Sequence, residues 1–214
     1  MTASRRIETE ADLAEGVAHL IRVEPRFEAI HALAGPPPLR RREGGFAPLL
    51  MVLIEQQVSV ASGRAIWARV EAAGCVTPEA VLARDQTGLC ALGLSRPKAR
   101  YALALAEAVR TGALDLNWLS TAEDREALST LQRVTGIGPW TAQIYLMFSE
   151  GRPDLCPAGD IALQEAMRVM MGLEARPKPD AFDAIAAPWS PWRAVAARLL
   201  WAYYRHLKGR EGKA

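Results

Sequence analysis

The run Val134-Thr135-Gly136-Ile137-Gly138-Pro139-Trp140-Thr141-Ala142 constrains this chain more than any other segment. Two glycines bracket one apolar residue, and the proline that follows suits the first turn of a helix. Leu128, Leu131 and Val134 recur at helical spacing before the bend, and Ile144, Tyr145 and Phe148 do so after it. The segment therefore reads as two helices joined by a tight turn, with Ile137 plugging it. Such a turn bares backbone N–H groups where a phosphate oxygen can approach, because glycine has no Cβ to block it. Downstream, Pro157-Ala158-Gly159-Asp160 sets an acidic residue at another helix start. From the residues alone, the bend is either an ordinary helix–turn–helix joint or a phosphate-binding element.

Helical periodicity dominates the rest of the chain. Leu13, Val17, Leu20 and Ile21 form one stripe, and Phe27, Ile30 and Leu33 form a second after Glu24-Pro25. Gly35-Pro36-Pro37-Pro38 and Arg40-Arg41-Arg42-Glu43-Gly44-Gly45 read as an exposed connection. A strongly apolar helix is expected over 46–55, interrupted by Gln56-Gln57-Val58-Ser59, and an amphipathic one over 61–73. Thr77 and Asp85 are N-caps of short helices. Longer helices are expected after Gly93-Leu94-Ser95-Arg96-Pro97-Lys98 through Arg110, over 121–132, 139–149 and 160–171, and from Pro191 to Lys208. No segment alternates with period two for long enough to argue a sheet, so the fold class is all-α.

Composition sets bounds. A chain of 214 residues, half of them apolar, buries a large core in one domain or in two joined lobes. The longest apolar run, Phe46 to Ile54, is too short to cross a bilayer. No hydrophobic segment follows Arg5-Arg6, so no secretion signal and a cytoplasmic location are expected. Cys75, Cys90 and Cys156, with His19, His31 and His206, have neither disulfide-framework nor metal-ligand spacing. The net charge of +2 decides nothing about nucleic acid. Arginine outnumbers lysine 22 to 4, which suits phosphate contacts but equally follows from a G·C-rich genome. No phosphate-binding loop with its lysine and no nucleophile elbow occurs.

The full pattern Leu131-x-x-Val134-x-Gly136-Ile137-Gly138-Pro139-Trp140-Thr141-Ala142, followed by Asp160, resembles the helix–hairpin–helix (HhH-GPD) superfamily of DNA glycosylases. Ile54-Glu55-Gln56-Gln57-Val58-Ser59, Gly93-Leu94-Ser95-Arg96-Pro97-Lys98-Ala99 and Trp189-Ser190-Pro191-Trp192-Arg193 with Leu199-Leu200-Trp201 resemble its AlkA-type 3-methyladenine DNA glycosylase II branch, in family order over nearly the whole chain. The resemblance implies a two-lobed helical fold, about 1–45 plus 152–214 against 46–151, with the hairpin at 123–149 and a cleft between the lobes. The N-terminal α/β domain of the best-known bacterial member is not expected here.

The resemblance also assigns roles. Asp160 matches the catalytic aspartate, although by itself it is also a favoured N-cap. Gln57 matches the wedge that fills the gap left by an everted nucleotide; the alternative is a capping or buried amide. Gly136, Ile137, Gly138 and Thr141 are the hairpin's DNA-binding residues, and Ser59 either donates to a phosphate or caps the next helix. Trp140, Tyr145, Trp192, Trp201 and Tyr203 are candidates for a base-stacking pocket that attracts a cationic purine. Trp67, Trp118 and Trp189 are assigned to the core. Two aromatic pocket positions of the bacterial relative appear here as Ile144 and Ile161. Main-chain carbonyls of Gln132, Val134 and Ile137 are implied to hold a structural monovalent cation, and no other cofactor is expected. Strand-nicking relatives carry a Schiff-base lysine where this chain has Trp140. The expected activity is therefore hydrolytic excision of alkylated purines (3-methyladenine and 7-methylguanine type) from double-stranded DNA by a monomer, leaving an abasic site. The alternatives are a non-catalytic helix–hairpin–helix DNA-binding module and a glycosylase for other damaged or mismatched bases.

Overall fold

The computed structural model describes residues 5–211, which form helices joined by turns, with no strand among them. In chain order the helices are α1 (Glu10–Val23), α2 (Arg26–Ala34), α3 (Phe46–Glu55), α4 (Val60–Ala72), α5 (Pro78–Leu82), α6 (Gln86–Ala91) and α7 (Arg96–Arg110). They continue with α8 (Leu116–Thr121), α9 (Asp124–Gln132), α10 (Pro139–Phe148), α11 (Ile161–Met171), α12 (Pro179–Ala186) and α13 (Arg193–Glu211). A 3₁₀ turn, Ala187–Trp189, precedes α13. No described helix is long and apolar enough to cross a membrane. Two compact units divide the chain: Met1–Arg41 with Leu146–Ala214, and Arg42–Tyr145.

In the first unit α13 is the hub. Its residues from Ala194 to Leu200 are all buried, and α1, α2 and α11 pack on it. Burial of the apolar residues of this run, which is interrupted only by Arg198, removes a large area from water, worth roughly 25 cal/mol per Å². Phe27 and Phe182 meet Trp189 edge-on, with centroids 5.0 and 6.4 Å away, and fix α2 and α12 to the 3₁₀ turn. Thr9 and Asp12 close a reciprocal capping box at the start of α1. Residues 146–151 belong to this unit, not with 46–151. Ile7 N–H donates to Gly151 O (2.7 Å), Arg152 N–H donates to Leu146 O (3.0 Å), and the Arg41 guanidinium donates to Ser149 O.

In the second unit α3 is buried along most of its length, from Phe46 and Leu49 to Ile54, and packs against α4 and α7. This is why an apolar run with no polar face is a helix here: it is enclosed rather than amphipathic. Ser59, Thr77, Asp85 and Ser95 each accept a backbone N–H at the start of their helices.

Four sequence expectations need correcting. The helix expected over 121–132 is α9 and starts at Asp124, and a separate, unexpected α8 precedes it, capped by Asp115 through Asn117 and Trp118 N–H. Helix α12 was not expected; Pro179 at its first turn was the available signal. Leu33 is 51% exposed because each three-residue step falls about 60° short of a full turn, rotating it off the Phe27 face. Trp118 is 40% exposed, as the short α8 buries Leu119 instead.

The tightest contact in the first unit is Gly16. A Cβ there would stand 2.7 Å from Val195 Cγ2 and 2.9 Å from Trp192 Cε3. Replacing Gly16 by Ala overpacks the α1–α13 seam and should lower unfolding free energy by about 1–3 kcal/mol in chemical denaturation. An unchanged midpoint would contradict this packing.

Candidate active site

The hairpin joins α9 to α10 through three turn bonds, each from an N–H to the carbonyl three residues earlier. Arg133 N–H donates to Thr130 O (3.2 Å), Val134 N–H to Leu131 O (3.1 Å) and Ile137 N–H to Val134 O (3.0 Å). Ile137 is 4% exposed and does plug the bend. Its two glycines do different work. Gly136 has φ +94°, and a Cβ on it would lie 2.2 Å from Tyr101 Cγ, so both backbone and space demand glycine. Gly138 is exposed and has no positive φ, and a Cβ on it would meet nothing within 4 Å. The fold does not require glycine at 138. Its bare surface lies at the start of α10, where the first N–H groups of any helix lack intrahelical acceptors.

The turn after α3 is tied to this hairpin. Lys98, 9% exposed, donates from Nζ to Ile54 O (2.7 Å) and Gln56 O (2.6 Å), and burial holds its pKa below the usual lysine range. Gln56 donates from Nε2 to Gly136 O (2.9 Å) and Thr141 Oγ1 (2.6 Å). The bonded amide of the pair is therefore Gln56, while Gln57 is exposed with φ +52°. This removes the buried-amide reading of Gln57. Thr141 is 2% exposed and its hydroxyl accepts from Gln56 inside the unit, so its side chain is not offered at the surface. Ser59 caps α4, accepting Ser62 N–H at 3.2 Å and sharing a hydroxyl hydrogen bond with Ser62.

Asp160 follows a turn closed by its own N–H on Pro157 O (2.8 Å). Its Oδ1 accepts Ala162 N–H (2.9 Å) and Leu163 N–H (3.1 Å), so it caps α11. Gln164 Nε2 donates back to Ala158 O at 2.8 Å, bracing the loop from the other side. The carboxylate is half-buried and held in one rotamer by the helix start. Gly159 before it is exposed, and a Cβ there would meet nothing within 4 Å. Ile161 beside it is 63% exposed.

Five aromatic residues separate into two groups. Trp201 is half-buried and stacks on Phe148 with centroids 6.1 Å apart and planes at 30°. The guanidinium of Arg198 lies 4.4 Å from the Phe148 centroid and donates to Ala194 O (2.9 Å) and Met147 O (3.1 Å). Burial pushes the Arg198 pKa down to about 10. Trp140 and Tyr203 are partly exposed. Tyr145 and Trp192 are corrected to core residues. Tyr145 is fully buried, and its hydroxyl accepts Gly45 N–H at 2.9 Å. Trp192 is 2% exposed, packed under Gly16 with the Arg5 guanidinium 4.4 Å from its ring. Ile144 is buried as well.

Sequence reasoning missed Gln56, Lys98, Phe148 and Arg198. Nothing in a lone lysine or arginine signals that its charge will be buried against carbonyls. Among the described residues no group of His, Cys, Asp or Glu could hold a metal ion. In the hairpin, Val134 O accepts Ile137 N–H, and a carbonyl has a second lone pair.

Comparison with known proteins supplies the family. Residues 50–191 match the family described as HhH-GPD superfamily base excision DNA repair protein. The chain belongs to the HhH-GPD superfamily. A Bacillus subtilis protein provisionally named a DNA-3-methyladenine glycosylase is 36% identical over 124 residues, covering 58% of this chain but only 43% of its own length. DNA-3-methyladenine glycosylase 1 of Schizosaccharomyces pombe is 26% identical over 207 residues, 91% of this chain and 89% of that protein. A solved structure of the 3-methyladenine DNA glycosylase of that yeast in complex with abasic DNA superposes with a TM-score of 0.81 at 25% identity, over 87% of this chain and 95% of the other. The segment that defines this chain as HhH-GPD contains Gln57, the hairpin and Asp160; Trp201 lies beyond it.

The two hairpin glycines give a direct test. Gly136→Ala should lose about 1–3 kcal/mol of stability from the Tyr101 clash and the left-handed backbone. Gly138→Ala should stay within about 0.5 kcal/mol of wild type in the same urea titration. Equal losses at both positions would refute the division of labour.

Proposed function

We propose that this HhH-GPD protein is a monofunctional DNA glycosylase that everts and hydrolytically excises alkylated purines of the 3-methyladenine and 7-methylguanine type, leaving an abasic site in an unbroken strand. The observation that carries this reading is the helix-start carboxylate of Asp160, fixed by its cap and flanked by the exposed, unobstructed Gly159. The names of its relatives support the substrate class.

Alkylation at N3 or N7 gives the purine a positive charge. Breaking the C1′–N bond returns the bonding pair to the base, which leaves neutral, and transfers positive charge to the sugar. A carboxylate next to that sugar stabilises the charge and orients water, whose oxygen bonds to C1′ while its proton is released through the carboxylate to solvent. No histidine or protonated acid is needed for such a leaving group. Trp201 on its Phe148–Arg198 support, with Tyr203 of the same unit, is proposed to stack the cationic base, and Trp140 of the other unit is a separate stacking candidate. Exposed Gln57 is the proposed wedge, and Gly138 admits a phosphate oxygen to the amides of the bend. The main-chain carbonyls of Gln132, Val134 and Ile137 would hold a monovalent cation, which would add positive charge for phosphate binding and take no part in bond cleavage. The substrate is double-stranded DNA with a damaged base, met by a monomer in the bacterial cytoplasm.

The capping bonds of Asp160 favour one rival reading, a non-catalytic DNA-binding protein in which this residue only starts α11. Asp160→Asn separates the two, because Asn caps as well as Asp. Excision from methylated duplex should fall by about 10²–10³-fold or more while duplex affinity and thermal stability are kept. Undiminished excision by the variant would remove the mechanism.

A further inference from the structure

We infer that Gln56 and Lys98 are positioning residues that make the Gln57 turn and the DNA-gripping hairpin one rigid device, so that holding the backbone and everting the base are mechanically coupled. The inference rests on the proposed role of Gln57 as the wedge.

A glutamine at φ +52° is not self-sustaining; such a backbone persists only when its surroundings over-determine it. Here they do so on both sides. Lys98 Nζ fixes the carbonyls of Ile54 and Gln56, the second of which belongs to the peptide bond that leads into Gln57. Ser59 caps α4 two residues after it. The remaining restraint is the Gln56 side chain, whose two N–H groups are both spent on the hairpin, at Gly136 O (2.9 Å) and Thr141 Oγ1 (2.6 Å). Those two acceptors bracket Gly138 in sequence, so they hold the two ends of the exposed bend. A shift of the bend on gripping phosphate is thus transmitted through a single amide to the residue beside the wedge. Gly136 contributes twice, since its missing Cβ lets Tyr101 seat the bend while its carbonyl receives Gln56. None of these contacts needs Gln56 to touch DNA.

The test is eversion, read apart from binding and chemistry. In the Asp160→Asn protein, a duplex carries 7-methylguanine with 2-aminopurine on its 3′ side, and fluorescence gain is recorded with protein saturating, so affinity does not enter. Gln57→Ala should lower the gain. Gln56→Met, which keeps length and removes both donors, should lower it at least about fivefold, and the Gln56→Met/Gln57→Ala double variant should lose no more than Gln57→Ala alone. Thr141→Val, which leaves the turn untouched and removes one acceptor, should lower the gain in the same direction, and Thr141→Ser should restore it; this pair keeps the test valid if Gln56→Met folds poorly. A loss on Gln57→Ala with none on Gln56→Met or Thr141→Val overturns the coupling and leaves the wedge standing. Effects of Gln56→Met and Gln57→Ala that multiply independently also overturn it. No response to Gln57→Ala removes the wedge reading and the coupling with it.

Discussion

The contact between Gly136 and the ring of Tyr101 is the constraint on which the second unit's hairpin depends. With no Cβ at 136, the bend closes onto α7, and the left-handed backbone turns the Gly136 carbonyl to the Gln56 amide. Ile137 then falls inside and Gly138 outside, as alternate residues in so short a turn must. A side chain at 136 would have to displace an aromatic ring packed against backbone, which is stiff, so the bend has one solution. The neighbouring glycine is under no such demand, since a Cβ at 138 would meet nothing within 4 Å.

In Asp160 an observed structural duty prepares the side chain for the chemical one proposed for it. Capping α11 occupies Oδ1 and satisfies two helix-start N–H groups. The same bonds fix the side chain's rotamer, which is what a group that must sit beside a sugar needs. A carboxylate on an unrestrained loop would lose that orientation by rotating. Capping and catalysis, which compete as explanations of an aspartate in a sequence, are compatible as properties of one in a fold. The aromatic support differs in kind: Arg198 has its charge buried among main-chain carbonyls, with its guanidinium against Phe148, on which Trp201 stacks.

Much of this was legible in the sequence, for identifiable reasons. Helix α3 was readable to the residue because an uninterrupted apolar run between Gly45 and the polar pair at 56 has sharp ends. The hairpin was readable because its glycines, proline and flanking stripes agree. The short helices α8 and α12 were not, since six to eight residues show no period and their signals were one cap and one proline. Of Gln56 and Gln57, sequence could assign the wedge only by resemblance; which amide turns inward is set by Lys98 and the hairpin, both distant in sequence. Tyr145 and Trp192 were indistinguishable from pocket aromatics because residue type carries no information on which side of a helix is covered. The Gly16 notch over Trp192 and the Gly45 amide on the Tyr145 hydroxyl exist only in three dimensions.

The central claim is that a base is removed by water with no covalent link between enzyme and sugar. Product analysis on a duplex treated with a methylating agent tests it most directly. The expected result is free N3- and N7-alkylpurine in the soluble fraction, an equal number of aldehyde-reactive abasic sites, an unbroken strand, and no protein–DNA adduct after borohydride. No release of base, or an adduct trapped by borohydride together with strand cleavage, would contradict it.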